Sequence, residues 1–509
     1  MDFIRESGIL LHPTSLPGNY GVGSLGPEAR NFVDMLESMG QRLWQVLPMG
    51  PTGYGDSPYQ SFSTFAGNHL LISFDQLVKD KLLNPQRLKD FPRFHADRVN
   101  YGRVIPARMK VLRSVCRTFE RKASGGRLRA YRKFCKENAD WLDDYALFLS
   151  IKEAYGGGPW VKWPKELAQR EPAALNRARR QYGTSIRNVK ILQYLFFDQW
   201  TRLQHYAHKK GIRIIGDIPI FVAHDSADVW ANPELFFVDA EGQPIVVAGV
   251  PPDYFSATGQ LWGNPLYRWD VHRNQDFAWW IARMRKVFEL YDIVRIDHFR
   301  GFEAYWEIPA HEKTAINGRW IPGPGEALFD EMIKQLGPLP IIAEDLGIIT
   351  PPVEALRDKF HFPGMRVLQF AFGNDGKAHD YRPENYPPNC VVYTGTHDND
   401  TTVGWFWSKA GDGSTRTHEE IERERQMILD YLGTDGHEIH WDMIRLALQS
   451  NANMAVLPMQ DLLGLDSKAR MNVPGRPGGN WQWRFTWNQV TPEIVTRMRD
   501  LTLESKRTH

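Results

Sequence analysis

The chain has 509 residues, 42% hydrophobic and 12% aromatic, with a formal net charge of +2. That length suits one large barrel with insertions, or two to three domains, and the near-neutral balance excludes the global basic field that nucleic-acid binding uses. The three cysteines, Cys116, Cys135 and Cys390, are too widely spaced for a metal pattern or a disulfide framework and point to a reducing, cytoplasmic compartment.

Asp2 and Glu6 interrupt a short apolar N-terminus, so no secretory leader is expected, and no later run is long enough to cross a bilayer. Residues 8–14 read as a first strand. A helix follows from Pro27 to Gly40, with Phe32, Val33, Leu36 and Met39 on one face. Residues 43–47 read as a second strand, and 48–67, crowded with Gly, Pro, Ser and Tyr, as loop. Gly21-Val-Gly-Ser-Leu-Gly26 matches a dinucleotide fingerprint. It is discounted, because Pro13 and Pro17 part it from the strand and the next strand ends in Pro48-Met-Gly50 without a ribose-binding acid.

Residues 70–190 read as a mainly helical insertion between the second and third strands. Ile105, Met109, Leu112, Cys116 and Phe119 fall at helical spacing, while Arg103, Arg108, Lys110, Arg113, Arg117, Arg121 and Lys122 occupy the other faces. A second basic cluster is Arg177, Arg179, Arg180, Arg187 and Lys190. Both are read as solvated helix faces rather than a polyanion site. A helix over 190–210 closes at Gly211, and the third strand runs to Ile220.

Residues 223–275 read as a loop-rich insertion over the active site. Its Tyr254, Phe255 and Trp262 are suited to gripping a sugar ring, which fits the 18 Trp in the chain, although most Trp packs cores. Then come a helix over 277–290, a fourth strand ending at Asp297, a fifth before Glu344, a sixth over 365–372, a seventh over 390–395, an eighth over 454–457, and a last helix from Thr491. Eight alternations predict a (β/α)8 TIM barrel, class α/β, spanning 1–509 as one catalytic unit without a C-terminal β-sandwich.

Four of the apolar runs end in acid. These are Ile212-Arg-Ile-Ile-Gly-Asp217, Tyr291-Asp-Ile-Val-Arg-Ile-Asp297, Ile341-Ile-Ala-Glu344 and Cys390-Val-Val-Tyr-Thr-Gly-Thr-His-Asp398, and such endings mark a carboxylate-lined barrel mouth. Arg295 and Asp297 lie two apart, hence on one face of a strand, where the cation favours the carboxylate anion; a buried ion pair that only holds strands together is the alternative. Glycoside chemistry through a covalent intermediate needs one carboxyl to attack and another to donate a proton. Asp297 suits the first role. Glu344, after Ile341 and Ile342, suits the second, since desolvation raises its pKa. Asp345 faces the other way and is expected to bond backbone. Asp398 is suited to binding ring hydroxyls, and His298 and His397 to donating hydrogen bonds beside the reacting carbon. A rival reading makes Asp217, His298, His397 and Asp398 metal ligands, without HxH or HExxH support.

Arg295-Ile-Asp-His-Phe-Arg-Gly301, Ala343-Glu-Asp-Leu-Gly347 and Thr394-Gly-Thr-His-Asp-Asn-Asp-Thr401 resemble the signature motifs of the 4-α-glucanotransferases called amylomaltase or disproportionating enzyme. Ser57-Pro-Tyr59, Gly216-Asp-Ile-Pro219, Gln260-Leu-Trp-Gly-Asn-Pro265 and Asn472-Val-Pro-Gly475 resemble that family too. The resemblance implies Asp297 as nucleophile, Glu344 as acid/base and Asp398 as transition-state stabiliser. It implies sugar contacts from Tyr59, Asp217, Trp262, Arg295, His298, His397 and Asn472, to which the motifs and the loop add Ser57, Gln260 and Tyr254. It also places Tyr54 and Tyr101 near a second glucan-binding groove. The implied partners are α-1,4-glucans and maltooligosaccharides, with glucose as acceptor and no cofactor or metal. A retaining α-glucan hydrolase is the nearest rival, and a non-catalytic glucan-binding protein the next.

Overall fold

The Val- and Ile-rich runs before Asp217, Asp297, Glu344 and Thr394 become strands, as expected for segments buried on both faces of a parallel sheet. The computed structural model describes residues 3–252, 256–373, 378–411, 417–476 and 478–508. The strands are β1 (Glu6–Leu10), β2 (Leu43–Gln45), β3 (Arg213–Pro219), β4 (Val246–Val250), β5 (Gln260–Pro265), β6 (Ile293–Asp297), β7 (Ala304–Pro309), β8 (Arg319–Pro322), β9 (Ile341–Ala343), β10 (Gly364–Val367), β11 (Cys390–Tyr393) and β12 (Met454–Pro458).

Eight of these form one parallel sheet in the order β10-β11-β12-β1-β2-β3-β6-β9. Its ends meet where the Ala343 N–H donates to the Pro363 carbonyl at 2.9 Å and the Met365 N–H donates to the Asp345 carboxylate at 2.6 Å. The ring is a (β/α)8 barrel. Opposite the mouth, two arginines seal the junction of β12 and β1. Arg507, fully buried, donates to the carbonyls of Leu448, Glu6, Asn453 and Ala452 at 2.7–3.1 Å. Arg5 adds bonds to the carbonyls of Ser505, Ser450 and Leu448.

The expected strand over 8–14 is shifted. Pairing starts at Glu6 and stops at Leu10, because Pro13 opens a 3-10 turn, Pro13–Ser15. The sixth strand is shorter than 365–372, ending at Val367 before the 3-10 turn Leu368–Phe370. The larger correction concerns 223–275, which is only partly loop. It holds the helices Ala227–Ala231 and Trp269–Asn274 as well as β4 and β5. With β7 and β8 these strands form a second, antiparallel sheet in the order β5-β4-β7-β8. Its central pairing, Val246 with Pro309 through Gly249 with Trp306, joins segments on either side of β6, so no local pattern announces it.

The helical insertion lies between β2 and β3, from Phe74–Lys79 to Gly183–Lys209. Asn100 caps the helix Tyr101–Lys122, its side chain accepting from the Arg103 N–H. Arg108 departs from the expected solvated face. It is fully buried, stacks on the Phe74 ring at 4.1 Å and donates to the Ile72 carbonyl at 2.5 Å. The second basic cluster does meet acids at the surface, Arg187 with Glu120 and Lys190 with Asp143. The glycines of the discounted fingerprint have packing reasons. A Cβ at Gly23 would sit 1.9 Å from the Pro13 carbonyl oxygen, and one at Gly26 would sit 2.2 Å from Ser73 Oγ. Among the described residues no helix is long and apolar enough to cross a membrane.

Candidate active site

Strand register assembles the first half of the site. On β3 and β6, Asp217 pairs with Arg295 and Pro219 with Asp297. Residues directly opposite on neighbouring strands share a face, so the Asp217 carboxylate and the Arg295 guanidinium meet inside the barrel. One Arg295 Nη lies 2.8–2.9 Å from both Asp217 oxygens, and the other lies 2.7 Å from Asp297 Oδ1. Asp217 is wholly buried. Burial pushes its carboxyl up to about 6; the Arg295 cation opposes the rise and the Asp297 anion adds to it. Tyr59 also donates its hydroxyl to Asp217, at 2.8 Å.

The β6–β9 ladder continues one step past the strands. Ile296 pairs with Ala343, the Glu344 N–H donates to the Ile296 carbonyl, and the Phe299 N–H donates to the Glu344 carbonyl, each at 3.1 Å. Glu344 therefore stands beside Asp297 on the adjoining chain. Its two oxygens accept the His298 N–H at 2.7 Å and the Leu346 N–H at 2.8 Å. Burial, and then the negative charge of Asp297, push the Glu344 carboxyl up to about 7 against the pull of Arg295 and those two N–H groups. Asp345 turns away, as expected of the next residue on a strand. It binds the Met365 N–H and, at 2.5 Å, Arg357.

His298 has a left-handed backbone, φ 56°, a conformation that costs a non-glycine residue about 1 kcal/mol. This turn aims its N–H at Glu344 and sets its ring edge-on to Trp262, centroids 4.8 Å apart at 87°. Burial pulls the imidazole down to about 3, keeping it neutral. Its Nε2 is buried without a hydrogen-bond partner among the described residues. Trp262 on β5 donates its indole N–H to the exposed Gln260 at 3.1 Å.

The third acid comes from the irregular chain after β11. Asp398 Oδ1 accepts from Asn472 Nδ2 at 2.6 Å, and Oδ2 lies 3.4 Å from His397 Nε2. The His397 ring stacks on Tyr59 at 5.1 Å and 16°. Tyr59 thus joins the two halves of the site, bonded to Asp217 on one side and stacked on His397 on the other. Ser57 Oγ accepts the Tyr59 N–H at 3.3 Å, helping to set that ring.

The structure so brings together Tyr59, Asp217, Arg295, Asp297, His298, Glu344, His397, Asp398 and Asn472, with Trp262, Gln260 and Ser57 at the margin. Tyr254 and the side chain of Tyr54 lie outside the described residues. Tyr101 is no surface platform: it is 4% exposed and donates its hydroxyl to the Trp481 carbonyl at 3.0 Å. The metal reading finds no support in the geometry, since the Asp217 oxygens are occupied by Arg295 and Tyr59. Among the described residues no three His, Cys, Asp or Glu side chains converge as metal ligands would.

Sequence reasoning overlooked Asp461 and Arg470. Buried Asp461 accepts from the Thr394 hydroxyl at 2.5 Å and the Thr402 N–H at 2.7 Å, anchoring both ends of the segment that carries His397 and Asp398. It follows the end of β12 at Pro458, so the rule that singled out acids after other barrel strands reaches it too. Arg470 lies in irregular chain and carries no local signal. Chemically, the site offers two carboxyl groups on adjoining chain ends, one ion-paired to arginine and one able to hold a proton near neutrality. A third carboxylate and a neutral imidazole stand nearby.

The sequence profile of the family described as 4-alpha-glucanotransferase matches residues 11–490. A 4-alpha-glucanotransferase of Thermus thermophilus is 52% identical over 100% of both chains. One from a Synechocystis species is 50% identical over 96% of this chain and 95% of its own. Among solved structures, an amylomaltase from Streptococcus agalactiae in complex with acarbose superposes with a TM-score of 0.93 at 39% identity, covering 99% of this chain and 100% of that one.

Proposed function

Since the chain belongs to the 4-alpha-glucanotransferase family, we propose how its side chains divide the work of moving a glucan segment. It is a transglycosylase of the amylomaltase type, acting on α-1,4-glucans and maltooligosaccharides. In our reading Asp297 attacks C1 of an α-1,4-linked glucose while Glu344 gives its proton to the departing glycosidic oxygen. The bond between C1 and that oxygen breaks, the C1–Oδ bond forms, and the shortened sugar leaves with the proton. A second glucan, or glucose as the smallest acceptor, then brings its 4-hydroxyl. Glu344 takes that proton, the acceptor oxygen bonds to C1 as the C1–Oδ bond breaks and frees the Asp297 carboxylate, and configuration is retained after two inversions.

The observation that carries this reading is Glu344, pushed up to about 7 beside an Asp297 that is ion-paired to Arg295. A carboxyl that is protonated in part at neutral pH can act first as acid and then as base. Asp398, held by Asn472, is assigned the hydroxyls of the distorted ring, with His397 and the neutral His298 as further contacts. Tyr59, Asp217, Arg295, Ser57 and Gln260 complete the sugar site. Trp262, on the second sheet, stacks the acceptor and keeps water from the intermediate; Tyr254 belongs to this assignment through the family resemblance alone. The double displacement uses neither a metal nor a redox cofactor. For a second glucan groove Tyr54 is the candidate platform. The absence of disulfides between Cys116, Cys135 and Cys390 supports placement in the reducing cytoplasm.

Incubation with maltotriose tests the assignment. The unsubstituted protein should yield a ladder of longer oligosaccharides with free glucose, and Asp297→Ala should lower turnover roughly 10^4-fold or more. Full activity in Asp297→Ala would remove Asp297 from its role.

A further inference from the structure

Two side chains assigned to the stabilisation of the distorted sugar, Asp398 and Asn472, stand on chain without helix or strand. Asp398 lies between the end of β11 at Tyr393 and the helix Thr402–Phe406, and Asn472 lies between the 3-10 turns Ser467–Ala469 and Trp487–Gln489. Neither inherits rigidity from the barrel, yet their side chains meet at 2.6 Å. The group that spans both is Arg470. Its Nη2 donates to the Asp398 carbonyl at 2.7 Å and its Nε to the Asn472 carbonyl at 2.8 Å. One planar cation therefore sets the separation of the two main-chain positions from which the catalytic-face side chains extend. Asp461 fixes the ends of the Asp398 segment at Thr394 and Thr402, and Ser467 donates to Asp400 at 2.7 Å. At Asp398 itself it is Arg470 that holds the carbonyl.

We propose that Arg470 is a positioning residue for the transfer reaction, holding Asp398 and Asn472 in register through their carbonyl groups. This rests on the role given above to Asp398. Arg470 touches no reacting atom in that role. Its loss lets the Asp398 carboxylate drift from the place where the distorted ring needs it, which affects the transition state more than ground-state binding.

The test measures kcat and KM for maltotriose in Arg470→Ala, Arg470→Lys, Asp398→Ala and the double variant Asp398→Ala/Arg470→Ala. Arg470→Ala should lower kcat on the order of 100-fold, with KM changed less than about threefold. Lysine should recover little, because one ammonium cannot bridge two carbonyls in fixed geometry. Millimolar guanidinium, well below denaturing levels, should restore activity saturably to Arg470→Ala and not to Asp398→Ala. Adding Arg470→Ala to Asp398→Ala should cost no more than about twofold, because the two act as a unit. Any of four results overturns the proposal: kcat in Arg470→Ala within about twofold of the unsubstituted protein, a loss confined to KM, an inactive variant that guanidinium does not restore, or multiplying losses in the double variant. Asp398→Ala alone tests the underlying role. Full activity there removes Asp398 from the transition state, whereas an inactive Asp398→Ala beside an active Arg470→Ala removes only Arg470.

Discussion

Glu344 has the local setting that decides the pH behaviour of the site. Its carboxyl is pushed up to about 7 first by burial and then by Asp297. The first step needs the proton on Glu344, so the active fraction falls as pH rises through that value. The account predicts a basic limb near pH 7 in kcat/KM for maltotriose; a rate flat from pH 6 to pH 9 would contradict it. Asp297→Asn removes the negative neighbour and should lower the Glu344 value, read as loss of its protonated C=O stretch in infrared spectra at pH 7. Arg295 explains why the two acids can coexist in a buried site, since its one cation meets Asp217 and Asp297 together. These residues were legible in the sequence because the chemistry sits at strand ends, where alternation tells which neighbour faces inward. That rule sets Glu344 and Asp345 on opposite faces, and the longer reach of Glu picks the one that points inward. Arg470 was not legible, because hydrogen bonds to main-chain carbonyls leave no residue pattern to read.

The contrast at the scale of elements is between local and non-local pairing. Each barrel strand announces itself through its own short, largely apolar run, and all eight were readable, with ends displaced where Pro13 or the turn after Val367 stops the ladder. The second sheet was not, because β4 pairs with β7 across the whole of β6. Burial of Arg108 was hidden for a similar reason, as its partners Ile72 and Phe74 come from another helix and its approach. The closure between β9 and β10 carries a prediction of its own. Asp345 binds Arg357 and the Met365 N–H in a buried site, so Asp345→Ala leaves the Met365 N–H without its acceptor and Arg357 with only the exposed Asp358. It should destabilise the fold by about 3–5 kcal/mol in urea unfolding. A loss under about 1 kcal/mol would show that the seam does not depend on this carboxylate.

Over the whole molecule the barrel has a chemical end and a structural end. The mouth holds the carboxylates of β3, β6, β9 and the chain after β11, while the opposite rim is closed by Arg5 and Arg507 on main-chain carbonyls. Those carbonyls come from the beginning and the last turn of the barrel, so Arg507 ties distant parts of the chain. Arg507→Ala should lower stability by about 3 kcal/mol, through the Glu6 and Asn453 carbonyls left without a charged donor. Because it lies far from the mouth, kcat at 25 °C should be unchanged. Equal loss of kcat and stability would mean that the two ends are coupled. The helical insertion and the second sheet hang on this frame, the sheet contributing Trp262 to the mouth.

The most direct test of the central claim asks whether Asp297 becomes bonded to sugar. Glu344→Gln supplies no proton, so a glucosyl donor with a leaving group that needs none, such as α-maltosyl fluoride, should react once and stall before an acceptor can be activated. Mass spectrometry of the digested protein should then find the peptide containing Asp297 heavier by the transferred sugar, with fragmentation placing it on that residue, and no adduct in Asp297→Ala/Glu344→Gln. A sugar found on another carboxylate, or the same adduct in the double variant, would contradict the account.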